Sequence, residues 1–208
     1  ARPVGKAEIK AQPEARKALN KEWDRLKVKQ TWDLDPKGVY EWRDVAAKAR
    51  LEGKEVHMGM LYEICVEKGS ELAPEFRKYK GRVVFLGNQV KNQNWESAVF
   101  QDLGSSPASM EAGKACDIFG CLPGHNVQQA DAEQAYVQAP MRSPTETWVT
   151  LPRDQWPAHW VGMDKPVVRL FKALYGHPDS GTYWEQHCDA HCRSVGFEPL
   201  KNWPSCYF

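Results

Sequence analysis

Apolar positions near the start of the chain recur at helical spacing. Ala15, Leu19, Trp23 and Leu26 lie three or four residues apart. They follow Pro13, which can open a helix because its missing N–H is not needed in the first turn. The pattern predicts a helix that begins at Pro13 and buries one face.

A second helix is predicted from about Glu41 to Glu52, and Gly53 supplies its stop. The residues expected on its inward face are Trp42, Val45 and Ala49. Between the two helices, Thr31–Leu34 is predicted to be extended.

Two apolar runs further along predict a hairpin. Leu61–Val66 and Val83–Leu86 have strand-like composition, and the polar stretch 67–75 turns the chain between them. Basic residues precede the second run, at Arg77, Lys78, Lys80 and Arg82.

The second half of the chain mixes short strands and helices. The predicted elements are a helix opened by Ser106-Pro107 and running to about Phe119, a short strand at Asn126–Ala130 leading into Asp131, strands at Thr147–Leu151 and Val167–Leu170, and a helix at Ser180–Val195. The buried face predicted for this last helix holds Trp184, Cys188, His191 or Cys192, and Val195. Because strands and helices do not alternate regularly, an α+β fold is favoured over a doubly wound sheet.

Composition narrows the function classes. The 208 residues carry a net charge of +1, so a nucleic-acid partner would have to be met by a local basic patch. No apolar run approaches the ~20 residues of a membrane span, and no apolar signal segment opens the chain. Six scattered cysteines without a CxxC pair predict reduced thiols and an intracellular protein.

The segment Gln129–Tyr136 carries the sharpest candidate chemistry. A predicted strand ends in Asp131, and Tyr136 follows five residues later. Nucleotidyl transfer needs hard carboxylate ligands for Mg²⁺, and a strand end holds such a ligand rigidly. The alternative is an aspartate that caps a turn above a packed tyrosine.

Two further segments have a functional and a structural interpretation. Leu174–Gly176, followed by Ser180-Gly181, forms a tight turn before a helix, and its backbone could approach a base or a phosphate. The cations of Arg77–Arg82 could bind a triphosphate or a nucleic-acid backbone. The alternatives are an ordinary helix start and a solvated strand face.

These segments, in this order, resemble the reverse transcriptase domain of copia-type retrotransposons along nearly the whole chain. The matching blocks are Glu22 and Leu26 with Thr31–Leu34, Tyr79–Val84 with Gly87, Ser106-Pro107, Asp131 with Ala135 and Tyr136, Leu151-Pro152, Val168–Gly176, Trp184, and Gly196-Phe197. The Asp-to-Tyr block and the Ala-Leu-Tyr-Gly block are the most specific.

The resemblance implies a role for several residues. Asp131 would be the first carboxylate on the two Mg²⁺ ions of the complete enzyme, and the carbonyl of Ala132 would be a minor ligand. Tyr136 would lie under the incoming sugar and exclude ribonucleotides. The remaining substrate residues would be Lys80 and Arg82 on the triphosphate of the dNTP, and Tyr175 and Gly176 in the turn beside the nascent base pair.

The resemblance also implies an architecture and partners. The expected fold is the fingers and partial palm of a right-hand polymerase, an antiparallel sheet with packed helices. The expected division is an N-terminal helical segment and linker (1–59), a fingers-like hairpin and helix (60–125) and a partial palm (126–208). Partners would be an RNA or DNA template-primer, dNTPs and the rest of the Pol polyprotein, with integrase and ribonuclease H, and no membrane. The expected location is the cytoplasm, where a virus-like particle is one alternative, or the nucleus.

Departures from the family pattern limit this expectation. The chain contains no adjacent Asp-Asp, which the family places shortly after a strand like Ser205–Phe208, so we expect a fragment that is inactive by itself. The alternative is a catalytically dead transposon relic that binds nucleic acid weakly. Three smaller departures are the long segment 35–59, the altered turn 176–181, and Gly81 where the family usually has Ala.

A zinc site in the last predicted helix is not expected. His187 and His191 are spaced to share one helix face, and Cys188 and Cys192 to share another. Tetrahedral zinc needs four converging ligands, and no second cluster in the sequence supplies the rest.

Overall fold

A computed structural model describes residues 1–100 and 105–208, and it shows a mixed α/β fold. Within these ranges lie six α-helices, several 3₁₀ turns and one sheet of seven strands. In chain order they are β1 (Arg2–Pro3), α1 (Lys6–Ala11), α2 (Pro13–Val28), β2 (Tyr40–Glu41), α3 (Trp42–Glu52), β3 (Val56–Lys68), β4 (Lys78–Phe85), β5 (Lys91–Asn92), α4 (Met110–Gly120), α5 (Ala135–Gln138), β6 (Glu146–Thr150), β7 (Pro166–Arg169) and α6 (Ser180–Ser194).

Helices α2 and α3 confirm the prediction from apolar spacing. Helix α2 begins at Pro13 and buries all four predicted residues, with Trp23 and Leu26 in the main core. The indole N–H of Trp23 donates to a carboxylate oxygen of Glu63 at 2.7 Å, which ties the helix to β3. Helix α3 ends at Gly53, whose left-handed φ of 62° closes it. Its buried residues include Ala46, while the predicted Val45 is only half-buried.

Strand β3 is the centre of the sheet. It pairs antiparallel with β4, from Leu61 opposite Phe85 to Lys68 opposite Lys78, and this confirms the predicted hairpin. Its first half pairs in parallel with β6, which pairs antiparallel with β7. Strands β1 and β5 also pair with β3, and β2 pairs with β7. The sheet is therefore mixed, and the predicted antiparallel arrangement fails at the β3–β6 pair.

The largest core cluster joins the early helix to the late strands. It contains Trp23 from α2, Val83 from β4, Val149 from β6 and Val168 from β7. Each of the ranges 1–59, 60–125 and 126–208 contributes to this cluster. The division of the chain into those three parts stays a prediction.

Two predicted helix features are wrong in detail. Helix α4 begins at Met110 rather than at Ser106-Pro107, because the hydroxyl of Ser109 accepts the backbone N–H of Ala112 at 3.2 Å and caps it. Helix α6 buries Ser180 and Tyr183, whereas Val195, predicted to be inward, is 58% exposed.

The strand predicted at Asn126–Ala130 is absent. These residues lie outside any helix or strand and are exposed. Only Val127 and Ala130 are apolar, so the segment offers too little surface to hold it against the sheet. Asp131 consequently follows a loop and not a strand end.

Candidate functional site

Three of the residues proposed from sequence lie together. The guanidinium carbon of Arg82 is 5.7 Å from the centroid of the Tyr175 ring. The Tyr175 ring in turn meets the Tyr136 ring edge-on, with centroids 4.6 Å apart. The three side chains come from β4, from the turn after β7 and from α5, so the fold brings together blocks that are far apart in sequence.

The end of β4 positions Tyr175. The carbonyl of Tyr175 accepts the backbone N–H of Phe85 at 2.7 Å. Gly176 has a φ of +88°, and a Cβ atom there would lie 2.1 Å from the Phe85 carbonyl oxygen. Only glycine fits this approach, because both the space and the left-handed backbone exclude a side chain. On the other side, the Ser180 hydroxyl donates to the Leu174 carbonyl at 2.7 Å.

Tyr136 is held by the short helix α5. Val137, the next residue, is fully buried in the main core. Ala139 is buried against Ala173, whose backbone N–H donates to the Ala139 carbonyl at 2.9 Å. The contact between Ala139 and Ala173 thus fixes both the backbone that follows Tyr136 and the backbone that precedes Tyr175.

Lys80 and Arg82 lie on the exposed side of β4, where successive side chains alternate. Glu22 of α2 is the acid near them, and burial raises its pKa. The positive charges of Arg25, Lys80 and Arg82 lower the pKa of Glu22 and partly offset that effect. The two cations therefore lie near the half-buried carboxyl group of Glu22, and Arg82 also contacts the ring of Tyr175.

Asp131 and Ala132 are exposed loop residues outside this cluster. Within the described ranges, Asp131 makes no hydrogen bond or ion pair, and no three His, Cys, Asp or Glu side chains are placed to hold a metal ion together. One carboxylate does not make a two-Mg²⁺ site, since each ion needs several hard oxygen ligands. The donor set of the described chain therefore does not fit the pair of ions, and no catalytic step through them follows from it.

A buried histidine beside the site was missed from sequence. His177 is 4% exposed, and its ring packs 4.9 Å from the Phe85 ring and 5.3 Å from the Phe100 ring. Its Nδ1 accepts the backbone N–H of Asp179 at 3.2 Å. Burial, with a smaller effect of His57, lowers the pKa of His177 to about 4. In the sequence it looks like an ordinary polar turn residue, and only the packing of Phe85 and Phe100 reveals its burial.

Cys188 and Cys192 remain the two neighbouring thiols of α6. Burial raises the pKa of Cys188, with a further contribution from Cys192. Both sulfurs are half-buried free thiols.

Across the described part of the chain, no helix has the length and apolar character needed to cross a membrane.

Comparison with protein-family models, with curated proteins and with solved structures found no match to this chain.

Proposed function

We propose that this chain forms the fingers and partial palm of a copia-type retrotransposon reverse transcriptase, an RNA-directed DNA polymerase. The observation that carries the proposal is the contact of Arg82 with Tyr175 and of Tyr175 with Tyr136. The family pattern assigns all three to the incoming nucleotide, and they were selected from separate sequence blocks. Their convergence is what a single nucleotide site requires.

Each of these side chains suits a part of a nucleotide. The planar guanidinium of Arg82 presents several donors in a geometry that matches phosphate oxygens. Its position over the Tyr175 ring restricts it through a cation–π contact. Lys80, two residues earlier on the same face of β4, adds a second cation for the triphosphate. Tyr136 would lie under the sugar, where its ring would exclude a 2′-hydroxyl.

Asp131 is proposed as one ligand of the Mg²⁺ ions in the complete polymerase. The remaining carboxylates, and the ribonuclease H and integrase activities, would come from other parts of the Pol polyprotein. Within these 208 residues the proposed task is to bind and orient the dNTP and the template-primer, in the cytoplasm or the nucleus.

Nucleotide binding by this chain tests the cluster directly. Replacing Arg82 by Gln removes its charge-assisted bonds to the triphosphate, which are worth about 1.5–3 kcal/mol for one hydrogen bond to a charged group. We expect the Kd for a dNTP, measured by calorimetry, to rise by roughly ten- to a hundredfold. Arg43→Gln is the matched control, because Arg43 is an exposed arginine on α3. Equal affinity in the two variants would remove Arg82 from the site.

Primer extension on an RNA template tests the enzymatic part of the proposal. The chain is assayed with Mg²⁺, alone and as part of the longer Pol polypeptide. Where extension occurs, Asp131→Asn should abolish it and leave template binding nearly intact, because a neutral amide is a poor Mg²⁺ ligand. Asp117→Asn, an exposed aspartate of α4, should extend primers normally. Extension that survives in Asp131→Asn excludes Asp131 as a metal ligand.

A second candidate is a transposon relic that binds nucleic acid weakly and has no catalytic activity. The position of Asp131 in an exposed loop, outside the cluster of Arg82, Tyr175 and Tyr136, favours it. The same assay separates the two: binding of template without extension, in the chain alone and in the longer polypeptide, supports the relic.

A further inference from the structure

A groove runs beside the hairpin, between helix α2 and the start of strand β4. We call it the α2–β4 groove, and its cationic lining consists of Lys17, Lys21, Arg77 and Lys78. It has a volume of about 560 Å³, and Tyr79 forms part of its wall. It is separate from the contact of Arg82, Tyr175 and Tyr136.

The charge in this groove is largely uncompensated. Within the described ranges none of its four cations forms an ion pair, and Arg77 only donates to the backbone carbonyl of Leu72, at 2.8 Å. Two acids also line the groove. Glu67 is buried and already bound by Arg2 at 2.7 Å, which leaves Glu14 as the acid that faces the cations. The chain as a whole has a net charge of only +1, so this positive excess is local.

The cations form a row and not a single point of charge. Lys17 and Lys21 are one helical turn apart, about 6 Å along α2. Lys78 leads to Lys80 and Arg82, which recur every second residue on the exposed face of β4, about 7 Å apart. Strand β4 pairs with β3 and with no other described strand, so this row follows an edge of the sheet. A linear ligand could lie along the row, whereas a single phosphate would use one end.

We propose that the α2–β4 groove binds the sugar–phosphate backbone of a single-stranded nucleic acid and that Lys78 continues its path towards the proposed triphosphate site at Lys80 and Arg82. The charge pattern requires a linear polyanion, and the choice of a nucleic acid rests on the proposed function. A basic groove with an aromatic wall is the usual way to hold a single strand without reading its sequence. Among the described residues, Lys17 and Lys21 form no ion pair and Arg77 contacts only the Leu72 carbonyl, so no acidic side chain neutralises these three charges by a direct ion pair.

Fluorescence anisotropy with a labelled oligouridine of about 12 nucleotides, within the usual single-strand site sizes, tests this binding. The variant is Lys17→Ala with Lys21→Ala, two exposed helix positions where alanine favours the fold. The control is Lys114→Ala with Lys201→Ala, which removes the same charge from exposed positions outside the groove. A Lys17→Arg, Lys21→Arg variant restores the charge.

Loss of two phosphate contacts should lower the salt slope of the logarithm of the binding constant by about 1.4. At about 0.1 M salt the affinity should fall by roughly ten- to thirtyfold. The control and the arginine variant should match the unaltered chain in both quantities. An unchanged slope in the alanine variant, or no binding of the oligonucleotide by the unaltered chain, overturns the groove as a nucleic-acid site.

Two further outcomes are decisive. If polyglutamate of matched charge competes as well as the oligonucleotide, the groove is a site for acidic protein segments and the nucleic-acid assignment is wrong. If the alanine variant loses RNA binding while Arg82→Gln leaves dNTP binding unchanged, the groove proposal stands and the proposed nucleotide site fails. If the alanine variant keeps RNA binding while Arg82→Gln loses dNTP binding, the groove proposal fails and the proposed nucleotide site stands.

Discussion

At the scale of single residues, His177 is a basic side chain that the fold keeps neutral. Its Nδ1 accepts a backbone N–H, so the neutral ring carries its proton on Nε2, and that atom has no hydrogen-bond partner among the described residues. The aromatic rings of Phe85 and Phe100 exclude water around it. His57, Asp179 and Tyr183 are the titratable groups nearby.

Acidification should therefore destabilise the chain through His177. Its pKa is about 4 in the folded state and about 6.5 when unfolded, so between these values the unfolded chain binds the extra proton. The stabilisation is fully present above about pH 6.5 and is lost as the pH falls towards 4, by an amount on the order of 3 kcal/mol. Urea unfolding followed by tryptophan fluorescence measures this dependence.

His177→Leu should flatten this pH dependence, and the exposed His125→Leu should leave it unchanged. Comparing the two variants separates the contribution of His177 to the pH dependence from that of Asp179. Burial raises the pKa of Asp179, so its contribution is present at low pH and is lost as the pH rises through that raised value. If the free energy of unfolding depends equally on pH in both variants, protonation of His177 does not destabilise the fold.

At the same scale, sequence could identify the side chains of the candidate site but not their contacts. Arg82, Tyr136 and Tyr175 were each assigned a role because their sequence blocks resemble the family pattern. No local sequence feature indicates that the Arg82 guanidinium on β4 lies over the Tyr175 ring in the turn after β7. Asp131 was assigned a rigid strand end that its own weakly apolar surroundings could not form.

At the scale of elements, the packing of α2 on β4 depends on Gly81. A Cβ atom there would lie 2.7 Å from the carbonyl oxygen of Ala18 and 2.8 Å from the Cα of Leu19. Both are backbone atoms of α2, so no side chain can rotate away to make room. The family that the sequence resembles usually has alanine here, and in this chain the helix lies too close to the strand for it.

Gly81→Ala should lower the free energy of unfolding by about 1–3 kcal/mol, as overpacked cores do. Gly113→Ala is the matched control within α4, where a new Cβ would meet nothing within 4 Å. It should raise the free energy of unfolding by roughly 0.5–1 kcal/mol, because alanine favours a helix over glycine. Urea denaturation gives both values. A neutral Gly81→Ala would show that α2 can shift away from β4 at little cost.

Elements with strong periodicity were the ones that sequence predicted well. Helices α2 and α3 were found because apolar residues recur at helical spacing, and the β3–β4 hairpin because two apolar runs flank a polar stretch. The start of α4 was misplaced because Ser106-Pro107 and Ser109 both resemble helix starts. Only the bond from Ala112 to Ser109 distinguishes them, while the backbone N–H of Ser106 donates to Glu185 of α6 at 2.8 Å.

At the scale of the whole molecule, sequence predicted an α+β mixture and missed the parallel pairing of β3 with β6. The alternation of apolar and polar residues along a strand indicates which side chains share a face. It does not indicate which strand pairs with it. That pairing places β6 and β7 beside the hairpin, and the turn with Tyr175 follows from β7. The convergence of the candidate site therefore depends on a long-range contact that local patterns do not encode.

Strand β3 pairs with β4, which follows it closely in the chain, and with β6, which follows much later, and this separation imposes an order on folding during synthesis. Strand β4 ends at Phe85 and can join β3 soon after both leave the ribosome, whereas β6 ends only at Thr150. At ~5–20 residues per second this leaves the first half of β3 without β6 for on the order of several seconds. During that interval the nascent chain presents an open backbone edge at Val56–Met60. Another nascent chain could pair with this edge, which makes the first half of β3 the expected starting point for misassembly.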